Sequence, residues 1–198
     1  MAELTVEYLG HACFRLEWDG QHIVLDPYAD GSVPGWPPVR TEAEFVYCSH
    51  GHDDHNAAGC VTLRAGGAPR FSLTEIEVPH DHHGGERRGM SVIRRFDFGG
   101  TVLVHLGDLG RPLTAEETTA LAHPDVLLVP IGGYYTIDAA EAAGVVDALR
   151  PRITVPMHYR TETAGYPVLA YLGDALPALL HCATELRVMD YGEKLRIE

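Results

Sequence analysis

Ser49-His50-Gly51-His52-Asp53-Asp54-His55-Asn56 is the stretch that decides how this chain is read. It follows the apolar run Glu44–Cys48, which reads as a strand. Three imidazoles and the Asp54 carboxylate fall within six residues, from His50 to His55. Alternation puts His50 and His52 on one side of an extended turn, and Asp54 and His55 follow as the backbone bends onward. Such a dense set of borderline ligands suits Zn²⁺ or a similar transition metal. An expression tag has a similar composition, but this segment is internal and joins a strand to a further element.

One loop cannot close a metal site without strain, so further ligands are sought at other strand ends, where a rigid sheet positions functional side chains. Three groups qualify: His80-Asp81-His82-His83 after Ile76–Pro79, Asp108 after Thr101–Leu106, and His158 after Ile153–Pro156. Any one alone reads as a capped turn residue. Together with the dense motif they read as a centre.

The 198 residues carry 15 Lys+Arg against 28 Asp+Glu, a formal charge of −13, with 22% charged and 45% hydrophobic residues. This composition excludes a disordered chain and suits one folded domain over residues 1–198. The acidity argues against general nucleic-acid or anionic-membrane binding, since both need a positive face. No basic-then-apolar signal segment opens the sequence, and no apolar run approaches the ~20 residues that span a bilayer. Cys13, Cys48, Cys60 and Cys182 form no CxxC pair and read as reduced, buried small hydrophobes, which places the chain in the cytoplasm. A small-molecule substrate is the expected partner, without membrane or nucleic acid, and a homo-oligomer is compatible with the composition.

Around these landmarks, Leu4–Tyr8, Ala12–Trp18 and Gln21–Leu25 read as strands, the last two joined by the hairpin pair Asp19-Gly20. Asp53–Arg64 has a helical composition and would close at Gly66-Gly67. Ser91–Phe98 and Thr101–Leu106 are strands joined across Gly99-Gly100. Thr114 with Glu117 forms a capping box for a helix through about Ala122. Val126–Ile131 and Ile153–Pro156 are buried strands, Asp138–Leu149 is an Ala-rich helix, and a short helix falls near Val168–Leu180. Glu185–Met189 and Lys194–Ile197 are expected as a closing hairpin. The alternation predicts a layered α/β sandwich.

At this point the sequence resembles the metallo-β-lactamase-fold hydrolases, whose HxHxDH signature stands here as His50-x-His52-x-Asp54-His55. It looks most like the ascorbate-6-phosphate lactonase-like branch. Tyr8-Leu9-Gly10-His11-Ala12, Leu25-Asp26-Pro27, Leu106–Gly110, Pro130–Thr136 and Pro156-Met157-His158-Tyr159 appear in the family's order over most of the chain. The resemblance implies a four-layer αββα sandwich with two divalent metals at one edge. Zn is favoured, and Mn, Fe and Ni are alternatives. By the same carry-over, His50, His52 and a histidine of 80–83 hold the first metal, His80 being favoured over His83 and His82. Asp54, His55 and His158 hold the second, and Asp108 bridges both. Two dications lower the pKa of a bridging water toward ~7, giving hydroxide at neutral pH. Asp54 both binds metal and orients that hydroxide. The charge of the pair suits an anionic ester, lactone or phosphodiester.

Other residues carry smaller expectations. Asp26 either fixes a ligand imidazole or is a turn residue before Pro27. His11 either points into the mouth with a catalytic role or packs in a hairpin. His105 is either a supporting residue behind the ligands or a satisfied core histidine. Tyr134 and Tyr135 either line a substrate pocket or pack. Arg87, Arg88, Arg94 and Arg95 either meet a phosphate or form a solvated face. The alternative to a hydrolase is a metal-binding sensor, a non-catalytic metalloprotein, or a di-iron redox protein on the same fold.

Overall fold

The computed structural model describes residues 3–197. Its N-terminal part is a meander of β1 (Leu4–Tyr8), β2 (Phe14–Trp18) and β3 (Gln21–Leu25), each antiparallel to the next. Asp19 and Gly20 take φ values of 46° and 75°, the left-handed pair whose twist suits a two-residue hairpin. Side chains alternate as a pleat requires: Phe14, Leu16, Ile23 and Leu25 enter the core between the sheets, while Val24 faces the opposite side. After a loop, the chain forms β4 (Thr41–Ala43) and β5 (Phe45–Tyr47), and β5 joins β3 in parallel.

The expected helix over Asp53–Arg64 is absent. The chain there makes a turn closed by His55 N–H to the His52 carbonyl, a single 3-10 turn at Ala58–Cys60, and β6 (Val61–Leu63). β6 pairs in parallel with β4. The backbone is already committed elsewhere, since Ala57 N–H is bound by the Pro27 carbonyl. Gly59 and the β-branched Val61 and Thr62 weaken helix further.

The second sheet begins with β7 (Ser72–Pro79), β8 (Met90–Phe98) and β9 (Thr101–His105), an antiparallel run. It continues with β10 (Val126–Pro130), β11 (Ile153–Met157) and β12 (Glu185–Leu186), all parallel to β9. The crossovers carry α1 (Ala115–Leu121), α2 (Ala139–Leu149) and α3 (Leu172–Ala175), the last running into a 3-10 turn at Leu176–Leu179. The capping box of Thr114 and Glu117 is present, and Asp138 with Glu141 forms a second one on α2.

The expected closing hairpin does not form. β12 extends the six-stranded sheet beside β11, whereas β13 (Lys194–Ile197) pairs with β1 in the five-stranded sheet, so the chain end crosses between the layers.

The two sheets face each other across Leu4, Phe14, Leu25, Phe96, Leu128 and Met157. On the outer face of the six-stranded sheet, Val104, Leu127 and Val129 pack under Leu121, Val145 and Leu149 of the helices. The fourth layer, over the five-stranded sheet, is built from Tyr28, Val33, Val39 and the β4–β6 pair. β3, β5, β7, β9 and β11 all point their C-terminal ends to one edge, which is where the motifs fall.

Candidate metal centre

Each predicted ligand sits one to a few residues past a strand at that edge. His50, His52, Asp54 and His55 follow β5, His80 follows β7, Asp108 follows β9 and His158 follows β11. They form two adjoining groups. In one, His50, His52 and His80 bring ligand atoms within 4.8 Å of one another. In the other, Asp54, His55, His158 and His11 do the same. Asp108 stands between them: Oδ2 lies 3.3 Å from His80 Nε2 and 3.2 Å from His158 Nε2, and Oδ1 lies 3.2 Å from His55 Nε2. Among the clustered histidines it is His80 that faces the centre, its Nε2 3.3 Å from Asp108 Oδ2. His82 turns away to Glu141 at 2.7 Å and is exposed, as is His83.

The donor chemistry fits a cation. His50 Nε2, His55 Nε2, His158 Nε2 and Asp108 Oδ1 are buried without a hydrogen-bond partner among the described residues. Buried acceptors left facing one another are costly unless a shared Lewis acid satisfies them. The tautomers agree. Ser49 Oγ donates its one hydrogen to Asp26 Oδ2 at 2.6 Å, and so accepts from His50 Nδ1 at 3.0 Å. That leaves a lone pair on His50 Nε2. His55 Nδ1 donates to Asp26 Oδ2 at 2.8 Å, which frees its Nε2 in the same way. Asp26 thus fixes two imidazoles, one directly and one through Ser49, and also accepts the Ser49 N–H at 2.6 Å.

Charge follows the same logic. Burial, with the neighbouring His55, holds His50 down at about 3, so its ring is neutral. Burial pushes Asp108 up, but His158 and His55 outweigh it and leave the carboxyl well below its ordinary range. Burial lowers His55, yet Asp108 and Asp26 outweigh that and raise it. The potential that favours a proton at His55 Nε2 equally favours a metal ion there.

The backbone is strained where the site needs it. Four of the seven described non-glycine residues with positive φ belong to this edge: His11 at 56°, Asp26 at 44°, Tyr134 at 55° and His158 at 55°. The left-handed conformation costs about 1–2 kcal/mol per residue, and such residues gather at functional sites. Hydrogen bonds hold it in place, His158 N–H to the His11 carbonyl at 3.0 Å and Tyr8 Oη to the same carbonyl at 3.2 Å. Gly110 meets a steric limit instead. A Cβ there would lie 2.0 Å from the Asp81 nitrogen, so only glycine lets the Asp108 loop approach the backbone that carries His80.

His11 is fully buried and points into the centre, its Nε2 3.3 Å from Asp54 Oδ2. Burial and His158 hold it down at about 4. His105 is engaged by backbone at both nitrogens, Nε2 donating to the Ala12 carbonyl and Nδ1 accepting from Gly107 N–H, each at 3.0 Å. It therefore takes the core alternative and braces the turn before Asp108. Asp108 N–H in turn donates to Ser91 Oγ at 3.0 Å.

Two cavities adjoin over the centre. The inner one, about 250 Å³, is lined by Asp54, His80, Asp108 and Tyr166, among others. The outer one, about 480 Å³, is lined by His82, His83, Arg87 and Tyr134. His52, Arg88 and Tyr135 line both. Both tyrosines thus border cavity space rather than the core. Of the four arginines, Arg94 is spent on structure, its Nε on Glu75 at 2.8 Å and Nη2 on the Cys48 carbonyl at 3.0 Å. Arg95 stays within β8. Ser49, Ser91, Asp81 and Tyr166 have parts in the site that the sequence does not assign them. Ser49 beside His50 and Asp81 beside His80 carry a positional signal, whereas Ser91 and Tyr166 have no pattern to mark them.

A two-sheet α/β sandwich carrying a His/Asp cluster at its strand-end edge is the architecture of the metallo-β-lactamase fold. Residues 5–158 match the β-lactamase superfamily domain, and the chain belongs to that superfamily. It is 25% identical over 200 residues to a UPF0173 metal-dependent hydrolase of Methanopyrus kandleri, covering 80% of this chain and 85% of the relative. A Thermotoga maritima structure of the metallo-β-lactamase superfamily is 29% identical, with a TM-score of 0.67, covering 94% of this chain and 100% of that one. A metallo hydrolase of Ignicoccus hospitalis shares the fold at a TM-score of 0.75 and 23% identity, covering 99% of both. At the level of class the expectation from the sequence holds: this is a metal-dependent hydrolase with a His/Asp cluster able to bind metal. These relatives do not single out the lactonase-like branch. No helix among the described residues is long and apolar enough to cross a membrane.

Proposed function

We propose that this chain is a dinuclear hydrolase acting on an anionic ester, lactone or phosphodiester, with Zn as the favoured metal and Mn, Fe or Ni as alternatives. His50, His52 and His80 hold one ion, Asp54, His55 and His158 the other, and Asp108 serves both. The observation that carries the reading is the position of Asp108, within 3.3 Å of ring nitrogens from both groups. A single closed site would leave one group of buried lone pairs without a partner. Divalent ions bound there supply Lewis acidity, activating water at neutral pH and polarising the bond it attacks.

The protein's own part is orientation and proton handling. Asp26 and Ser49 set the tautomers of His55 and His50. His11 Nε2 hydrogen-bonds Asp54 Oδ2 and holds that carboxylate toward the inner cavity, where a proton released from water can be shared between them. Tyr166 and Tyr135 line the inner cavity beside these groups. The free thiols of Cys13, Cys48, Cys60 and Cys182 support a reducing compartment such as the cytoplasm.

Metal content per chain, measured by elemental mass spectrometry on protein purified without a His tag or chelator, tests this reading. About two ions of Zn or Mn per chain, with metal-stimulated turnover of activated esters or phosphodiesters, is the expected result. One ion or none after reconstitution overturns the dinuclear assignment. Two irons with a visible absorption band and no hydrolysis move the chain to redox chemistry.

A further inference from the structure

The outer cavity carries two cations that the centre does not use. Nine of the other twelve arginines are spent on carboxylates, among them Arg40 on Asp30, Arg94 on Glu75 and Arg111 on Glu117, while Arg95, Arg150 and Arg160, which line neither cavity, are not among the described residues. The guanidinium groups of Arg87 and Arg88 have no carboxylate within 4.0 Å among the described residues. In a chain with 28 acidic residues and a net charge of −13, two adjacent unpaired arginines at the mouth of a centre are a selective feature.

A carboxylate of the same loop explains their placement without pairing with their guanidinium groups. Asp81 Oδ1 accepts the backbone N–H groups of His83 and Gly85 at 2.7 and 3.0 Å. Its Oδ2 accepts those of Arg87 and Arg88 at 3.0 and 2.9 Å. The whole acceptor capacity of Asp81 goes into folding the loop over itself, which fixes the two arginine backbones and leaves their side chains for the cavity. The Arg88 guanidinium then lies 3.8 Å above the centre of the Tyr135 ring. The ring face attracts the cation, and no hydrogen bond or ion pair takes up its guanidinium N–H donors among the described residues. Its fork therefore remains available at the boundary of the two cavities, beside His52.

We propose that Arg88, held over the Tyr135 ring, acts with Arg87 as a clamp for an anionic group, a carboxylate or a phosphate, that the substrate carries away from the bond being cleaved. A planar fork matches the paired oxygens of either group. The clamp deepens the hydrolase reading of the same centre and rests on it. The scissile bond occupies the inner cavity over Asp108, the anion occupies the outer one, and Arg88 stands where they join.

The test compares zinc-loaded wild type, Arg88→Ala, Arg88→Lys and the double variant Arg87→Ala/Arg88→Ala on three p-nitrophenyl esters of equal chain length. These are the uncharged hexanoate, the adipate monoester with a terminal carboxylate, and the phosphonohexanoate. Wild type is expected to show a KM for at least one charged ester about tenfold below that of hexanoate, as a charge-assisted hydrogen bond implies. Arg88→Ala should collapse that ratio, and Arg88→Lys should restore part of it. The ester with the lower KM identifies carboxylate or phosphate as the ligand. Calorimetric titration of free adipate and of hexylphosphonate adds a readout independent of turnover, with affinity for the preferred anion expected to fall about tenfold in Arg88→Ala. No charge preference in wild type, or one that survives the double variant, overturns the clamp while turnover itself upholds the hydrolase. Anion binding lost in Arg88→Ala, with no ester hydrolysed by wild type, upholds the clamp and overturns the ester part of the hydrolase reading.

Discussion

The floor and the mouth of this centre are built by opposite means. The floor consists of mostly buried residues at the ends of five strands, with His52 exposed at its rim, and most of its side chains are fixed by one another: Asp26 holds His55 and, through Ser49, His50, while Ser91 holds the Asp108 backbone. The mouth is a single loop, residues 81–89, folded around one carboxylate, with Arg88 resting on Tyr135 from another loop. Geometry in the floor is over-determined by two sheets, whereas geometry in the mouth depends on local hydrogen bonds. A rigid floor suits chemistry that any member of the class must perform, and a locally built mouth suits the choice of substrate.

The strongest test of this division is Asp108→Asn. The amide keeps the shape but removes the negative charge that lies within 3.3 Å of imidazoles from both groups. Metal content should fall below two ions per chain, and kcat/KM should drop by about a thousandfold or more, because metal-ion stabilisation of the transition state is worth several kcal/mol. Turnover within tenfold of wild type would show that the two groups do not work as one centre. Asp26→Ala should follow with a smaller loss, about 10–100-fold in metal affinity or activity, since it touches the imidazoles and not the ions. A parallel titration of zinc against a chelator separates the two variants. An Asp26→Ala protein with wild-type affinity would mean that Ser49 and the backbone suffice to hold the rings.

Asp81→Ala probes the mouth. Four backbone N–H groups lose their acceptor, but most of that loop is exposed and water replaces it. The expected outcome is a rise in KM of about tenfold with kcat changed by less than that, because loop order costs binding energy and leaves the chemistry intact. Steady-state kinetics on a charged ester checks it. A loss confined to kcat would mean that the loop positions His80 more than it positions Arg88, and the separation of floor from mouth would fail at that joint.

The floor left more pattern in the sequence than the mouth, where Arg87, Arg88, Tyr134 and Tyr135 stood only as open alternatives, and the reason is physical. Ligands must present imidazole and carboxylate at the ends of strands, and both the residue types and the strands leave local patterns: the alternation of β1 to β3, the Asp19-Gly20 turn, the capping box at Thr114. Where pattern and placement diverged, long-range commitments decided. Asp53–Arg64 has helix-compatible residues, but its backbone is bound by Pro27 and its end is drawn into pairing with β4. Glu185–Met189 and Lys194–Ile197 are separated by turn residues and look like partners, yet each finds a better edge on a different sheet. Ser49 and Asp81 act through hydrogen bonds to groups that only the fold brings near, and a serine or an aspartate in a loop announces nothing by itself.

The smallest effect belongs at the opposite edge of the sandwich. The hairpin of Asp19 and Gly20 closes the ends of β2 and β3 that point away from Asp26, one strand length of about 16 Å from the floor. Gly20 has a φ of 75°, and a Cβ built there would meet nothing within 4 Å, so Gly20→Ala isolates the backbone cost from any clash. That cost is about 1 kcal/mol, which in a protein of this size lowers Tm by roughly 2–4 °C. Metal content, kcat and the preference between charged and uncharged esters should all match wild type. Thermal unfolding followed by circular dichroism, with the same ester assays, checks both halves of the expectation. A change in kcat at unchanged metal content would mean that strain at the far turn reaches Asp26 along β3, and the floor would then be less firmly determined by its own contacts than its hydrogen bonds imply.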